Sequence, residues 1–234
     1  MNKNKARAKH NIRRFLVIGL LIAAIAAVCV VAGNKSNTGQ DAFSKSFESD
    51  TADEQWYLTV VNKWNPVDEN RAIETVELPG GERVDKHIYE PLHEMLADME
   101  ADGVYPVVAS GYRTQEEQEQ IYNDKIAAYE AEGMSYQMAK QETERWVSVP
   151  GTSEHQLGLA VDINADGIHS AGYEVYEWLE QNAHNYGFIY RYPPDKTEVT
   201  GVENEPWHYR YVGAEAAKEI HQKGICLEEY VKSR

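Results

Sequence analysis

Apolar residues recur at helical spacing between Val84 and Asp102, where Ile88, Leu92, Met95, Leu96 and Met99 stripe one face, so a helix is predicted there with Gly103 closing it. The segment Tyr105-Pro106-Val107-Val108-Ala109-Ser110 is apolar without that period and predicts a strand over 104–110. Thr114 followed three residues later by Glu117 is a capping-box start, and the helix it opens is expected to run to about Glu132. Further along, the pattern predicts a helix from Ser135 to Trp146, a strand from Thr152 to Ile163 and a helix from Tyr173 to Tyr186. Residues 207–211, Trp-His-Tyr-Arg-Tyr, alternate as a strand does, which puts His208 and Arg210 on one face and Trp207, Tyr209 and Tyr211 on the other. Helices and strands without regular βαβ alternation predict an α+β fold, with helices packed on a small antiparallel sheet.

The amino-terminal pattern is of another kind. Residues 1–14 carry Lys3, Lys5, Arg7, Lys9, Arg13 and Arg14 and no acid, and Phe15–Ala32 is an unbroken apolar run with one glycine. A run of this length falls at the short end of the ~17–25 residues of a spanning helix and exceeds the ~7–15 of a signal-peptide core. The basic flank predicts that this end stays in the cytoplasm while the remainder is exported, so 15–32 reads as an uncleaved transmembrane signal anchor. Val30-Val31-Ala32 is the alternative, a cleavage site, and a lipid anchor at Cys29 is weaker still because valine precedes the cysteine. Residues 33–55, polar and rich in Ser, Asn, Thr and Gly, read as a flexible tether, and 56–234 is long enough for one domain with its own core.

Charge narrows the partners. Without the six basic residues of the first fourteen, 17 Lys+Arg face 38 Asp+Glu, a formal charge of −21 on the exported part. Nothing basic enough to track nucleic acid remains, and most of the acidity serves solubility. Cys226 is the sole cysteine outside the apolar run, so the domain has no internal disulfide.

The candidate chemistry lies in Ser153-Glu154-His155-Gln156-Leu157-Gly158-Leu159-Ala160-Val161-Asp162 and in Glu205-Pro206-Trp207-His208. His155, Asp162 and His208 offer two imidazoles and one carboxylate, a ligand set that catalytic zinc uses while keeping a fourth position open for water. Two neutral ligands and one anion cancel only half the metal's charge, which leaves that water acidic near neutral pH. Glu205, close by and not needed as a ligand, is the candidate base. His155 and Asp162 are seven apart, an odd spacing that would send them to opposite faces of an unbroken strand, and Gly158 is where a turn or bulge is expected to correct this. Arg113, at the end of the strand ending in Ser110, has the planar fork that suits a terminal carboxylate.

Three motifs together resemble the LAS metallopeptidases, and within them the D-alanyl-D-alanine carboxypeptidases of the VanY type: Ser110-Gly111-Tyr112-Arg113 with Gln118, then Ser153-x-His155-x-x-Gly158-x-Ala160-x-Asp162, then Glu205-x-Trp207-His208. The likeness runs from about Trp56 to Tyr230. It implies a LAS/hedgehog-like fold, one zinc ion held by His155, Asp162 and His208, and Glu205 as general base. By the same resemblance Arg113 stabilises the oxyanion or holds the substrate, and Ser153 and Gln118 contact the peptide, with Tyr112 and Trp207 as further substrate contacts. The implied substrate is a peptidoglycan stem peptide ending in D-Ala-D-Ala, at the outer face of a bacterial membrane. L,D-carboxypeptidase or peptidoglycan endopeptidase activity is the alternative among enzymes, and a metal-bearing binding module the alternative outside them. A module has no need of Glu205.

Other signals are weaker. Asp162-x-Asn164-x-Asp166-Gly167 opens like a calcium loop, but its twelfth position is Tyr173 in place of a glutamate. Ser153 fails the Gly-x-Ser-x-Gly elbow and no Ser-x-x-Lys occurs, which argues against serine chemistry. The remaining histidines, including His87, His93, His184 and His221, read as structural.

Overall fold

A computed structural model describes residues 56–68, 70–165 and 173–234. The basic segment 1–14, the apolar run 15–32, the tether 33–55 and the Asp166-Gly167 part of the calcium-like loop lie outside the described residues. Among the described residues no helix is long and apolar enough to cross a membrane.

The chain forms an α+β domain. A two-stranded hairpin, β1 (Thr75–Glu77) and β2 (Arg83–Asp85), leads through a single 3₁₀ turn, Lys86–Ile88, into helix α1 (Tyr89–Ala101). Strand β3 (Val108–Ser110) follows, then α2 (Gln115–Ala131) and α3 (Tyr136–Thr143), then β4 (Ala160–Ile163), α4 (Tyr173–Asn182), β5 (Phe188–Tyr190), α5 (Thr197–Thr200), β6 (His208–Tyr211), α6 (Ala214–Lys223) and α7 (Leu227–Lys232). The last four strands make one antiparallel sheet in the order β3-β4-β6-β5.

Alternation across the two central strands divides the sheet into an apolar and a polar face. Val161, Ile163 and Tyr209 join Leu92, Met95 and Met99 of α1 and Leu179 of α4 in the main core. Ala160, Asp162, His208 and Arg210 point the other way, as the period of two requires. A second cluster, with Ile189, Val212, Ala217, Ile220 and Leu227, seats α6 and α7 beside β5. Tyr122, Ile126 and Ala139 join α2 to α3.

Several boundaries differ from the sequence expectations. The helix expected from Val84 begins at Tyr89, because Val84 and Asp85 pair with Val76 and Thr75 and the Asp85 carboxylate caps the His87 N–H at 2.9 Å. The strand expected over 104–110 shortens to 108–110: Pro106 has no N–H to give, and Val107 bonds to both the carboxamide and the backbone of Asn164. Helix α3 ends at Thr143, so Trp146 and Val147 turn back into the wall of a cavity. The stretch 152–163 is not one strand: Glu154–Leu157 is a 3₁₀ helix and only Ala160–Ile163 is extended. Helix α4 likewise gives way at Asn182 to a 3₁₀ turn, Ala183–Tyr186. The α2 start is as predicted, with Thr114 and Glu117 forming a complete capping box. Elements β1, β5, α5, α6 and α7 have no counterpart in the sequence expectations.

Candidate active site

Asp162 and His208 are cross-strand partners in the β4–β6 ladder, so their side chains leave the sheet side by side on its polar face. His155 reaches the same point from the 3₁₀ helix. That helix ends at Gly158, whose φ of +68° is the left-handed conformation that lets the chain reverse into β4. A Cβ at Gly158 would stand 2.8 Å from the Asp85 amide, so glycine is required for space as well. The reversal is the correction that the odd spacing of His155 and Asp162 demands.

The Ser110–Arg113 segment locks His155 from the other side. The His155 ring meets the Gly111 carbonyl through Nδ1 at 2.7 Å, and the Arg113 N–H donates to the His155 carbonyl at 3.2 Å. Gly111 cannot carry a side chain, since its Cβ would fall 2.2 Å from the Arg83 carbonyl oxygen. With Nδ1–H donated to a carbonyl, the lone pair of His155 is on Nε2, which lies 3.3 Å from Asp162 Oδ2. His208 presents its other nitrogen, Nδ1, 3.0 Å from Asp162 Oδ1.

These three buried groups fit a zinc ion. One ligand atom from each lies within 4.8 Å of the other two. Zinc bonds of about 2.0–2.2 Å in tetrahedral geometry place ligand atoms roughly 3.3–3.5 Å apart. His208 Nδ1 lies 3.0 Å from Asp162 Oδ1 and His155 Nε2 lies 3.3 Å from Asp162 Oδ2, so each imidazole is near that spacing from one of the two carboxylate oxygens.

Glu205 stands beside the ligands and outside their cluster. Glu205-Pro206-Trp207-His208 is a turn in which the His208 N–H donates to the Glu205 carbonyl at 3.1 Å, with proline at the position whose φ it presets. The turn brings the Glu205 carboxylate to 3.8 Å from His208 Nδ1. Burial lifts Glu205 to about 8; His208 and Arg113 oppose the rise while Asp162 and Glu154 add to it. Burial would depress His208, yet its contacts with Asp162, Glu154 and Glu205 carry it up to about 9. His155 moves down, by burial first and by the Arg113 charge second. Burial works against the charge of Asp162, but the two histidines outweigh it and hold its carboxyl well below the usual range.

Arg113 donates through Nε to Ser110 Oγ at 2.8 Å, through Nη1 to Gln118 Oε1 at 3.3 Å and through Nη2 to Asp162 Oδ2 at 2.8 Å. Three of the five N–H groups of a guanidinium are thereby engaged, and two are left for a molecule in the cavity. That cavity, about 400 Å³, is lined by the three ligand residues together with Glu205, Arg113, Ser153, Gln118 and Trp207.

The structure therefore brings together every sequence-predicted site residue except Tyr112. That ring packs against the Arg83 guanidinium, 5.3 Å away, and lines a different cavity, which Arg113 also borders. Gln118 is fully buried, and its amide nitrogen is spent on the Ser148 carbonyl at 2.8 Å. The Asn164 carboxamide oxygen accepts the Val107 N–H at 2.7 Å. Sequence reasoning missed Glu154, Tyr192 and the cavity wall from Trp146 and Ile121. Glu154 lay inside the motif, but nothing in the local pattern separates it from a solvated glutamate.

Comparison with known proteins agrees with this geometry. The D-alanyl-D-alanine carboxypeptidase (VanY) family profile matches residues 81–214. A D-alanyl-D-alanine carboxypeptidase of Enterococcus faecalis is 58% identical over 181 residues, covering 77% of this chain and 68% of that protein. The crystal structure of a mutant of the vancomycin-resistance D,D-pentapeptidase VanY from a VanB-type resistance cassette, in complex with Zn(II), superposes with a TM-score of 0.72 at 58% identity, covering 76% of this chain and 99% of that one. VanYB in complex with D-alanine-D-alanine gives 0.74 at 58% identity, over 77% and 99% of the two chains. The chain belongs to the VanY family of D-alanyl-D-alanine carboxypeptidases.

Proposed function

We propose that this protein is a zinc-dependent D,D-carboxypeptidase that removes the terminal D-Ala from peptidoglycan stem peptides. The observation that carries this reading is the convergence of His155 Nε2, Asp162 and His208 Nδ1 on one point, with the Glu205 carboxylate close by and outside the ligand set. When bound, zinc supplies a Lewis acid that acidifies water and polarises the peptide carbonyl.

The remaining steps are taken by the chain's own groups. Glu205 accepts a proton from the attacking water, whose oxygen bonds to the carbonyl carbon. It then hands that proton to the departing amine as the C–N bond breaks, which leaves a shortened stem and free D-alanine. Burial raises Glu205 in the metal-free protein, and a divalent cation beside it would draw the carboxyl back toward the ionised form that a base needs. Arg113 offers its two remaining N–H groups to the negative charge that develops on the carbonyl oxygen. Ser153 and Trp207 form the wall against which the peptide lies, and Gln118 holds Arg113 in place.

The apolar run 15–32, with its basic flank, supports a single-pass anchor that presents the domain outside the bacterial membrane. The tether 33–55 then lets the domain reach the wall.

The experiment is to incubate the protein with pentapeptide and tetrapeptide stems and weigh the products. Loss of one alanine from the pentapeptide alone is expected. Cleavage of the tetrapeptide alone would make the enzyme an L,D-carboxypeptidase, and cleavage of neither would leave the binding-module reading. A chelator should abolish turnover and penicillin should not.

A further inference from the structure

Glu154 is buried to 1% exposure beside the metal ligand His155, and the mechanism above gives it no part. Its Oε1 accepts from Arg191 Nε and Arg210 Nη1, both at 2.8 Å. Among the described residues its other oxygen, Oε2, has no hydrogen-bond partner, and neither does Nε2 of His208; these two buried atoms face each other at 3.5 Å. Two unsatisfied groups of opposite kind, one acceptor and one ring nitrogen, are aimed at one another across a gap slightly longer than a hydrogen bond.

The two arginines make this aim rigid. Arg191 also grips Glu228 through Nη1 at 2.9 Å and Nη2 at 2.6 Å, and Arg210 donates through Nη2 to the Tyr57 and Thr59 carbonyls at 2.8 and 2.9 Å. Both guanidiniums are fully buried, so the Glu154 carboxylate has no second place to go. Two arginines and two glutamates balance in charge, which allows the cluster to persist away from water.

We propose that Glu154 is the positioning residue of the metal centre: its Oε2 takes the Nε2–H of His208, which fixes the tautomer in which the Nδ1 lone pair faces Asp162 and the metal. His155 is set by the opposite choice, Nδ1–H on the Gly111 carbonyl and Nε2 toward the metal. Each ligand histidine thus donates its spare N–H to a fixed acceptor, one a carbonyl and one a carboxylate. Partners of this kind orient a ligand and raise its basicity, and their loss typically lowers metal affinity ~10–100-fold. The inference rests on the ligand assignment given above.

The test compares zinc affinity, by competition with a chromophoric chelator, in the parent and two variants. Glu154→Gln keeps the shape and a carbonyl oxygen for the arginines but presents an NH₂ to His208 Nε2, and so favours the wrong tautomer. It should bind zinc ~10–100-fold more weakly. Glu228→Gln perturbs the same arginine cluster without touching His208, and it should weaken zinc binding clearly less than Glu154→Gln does, even if it melts earlier. Imidazole nitrogen NMR of the zinc-loaded parent supplies a reading that needs no variant: His208 should carry its proton on Nε2 and His155 on Nδ1. Unchanged affinity in folded Glu154→Gln, equal weakening in Glu228→Gln, or a His208 without a proton on Nε2 would each overturn the proposal. A parent that binds no zinc would instead remove the ligand assignment itself.

Discussion

Asp162 and His208 stand directly opposite each other in the β4–β6 ladder, and that pairing sets His208 Nδ1 3.0 Å from Asp162 Oδ1. Two of the three ligands are therefore preorganised by main-chain hydrogen bonds, and only His155 depends on a turn. Replacing His208 by alanine leaves Asp162 and His155 in place but removes one of three ligands. Zinc affinity should fall by more than the ~10–100-fold typical of outer partners, as read by chelator competition, and turnover should go with it.

Glu205→Ala separates binding from chemistry. The carboxylate lies outside the ligand cluster, so the variant should retain zinc at parent stoichiometry. Its turnover on a D-Ala-D-Ala substrate should drop by about 10²–10⁴-fold, the usual contribution of a positioned base. Parent-like turnover would remove Glu205 from the mechanism.

Gly158→Ala should destabilise the domain by ~1–3 kcal/mol, the scale of a forced left-handed residue, and by more if Asp85 cannot yield. The added Cβ would meet the Asp85 amide at 2.8 Å. Because the same turn delivers His155, zinc affinity should weaken along with the melting temperature.

The pH dependence of the metal-free protein follows from the two raised groups. His208 sits at about 9 against its usual 6.5, so its contribution to stability is full below pH 6.5 and is lost as pH rises through 9. Glu205, at about 8 against 4.5, acts in the same direction over a lower window. Asp162 and Glu154 are held low, the latter by Arg191 and Arg210 against the effect of burial, so what they contribute is kept until strongly acid pH. Chelated protein should therefore lose stability as pH rises from about 4.5 to about 9. Zinc affinity should rise over that interval, because the metal must displace the proton from His208. Thermal melts with and without chelator, and zinc titrations at pH 6, 7 and 8, check both trends.

Much of the centre was legible because its signals are local. His155, Asp162, Glu205 and His208 lie within two short motifs, and alternation in 207–211 correctly separated His208 and Arg210 from Tyr209. The Thr114–Glu117 capping box likewise announced α2. What stayed hidden depends on partners distant in the chain. Glu154 gains its meaning from Arg191 and Arg210, which fold onto it from β6 and from the residue after β5. The strand expected over 152–163 is interrupted by the 3₁₀ turn at Glu154–Leu157, whose four side chains are all buried, so no alternation of inward and outward positions marks it. Tyr112 matched a motif, yet its ring turns toward Arg83.

Diffraction from zinc-soaked crystals at the zinc absorption edge examines the central claim most directly. A single anomalous peak about 2.0–2.2 Å from His155 Nε2, an Asp162 oxygen and His208 Nδ1, with Glu205 uncoordinated beside it, is the predicted result. A peak on other residues, or none at this point in protein that hydrolyses its substrate, would contradict it.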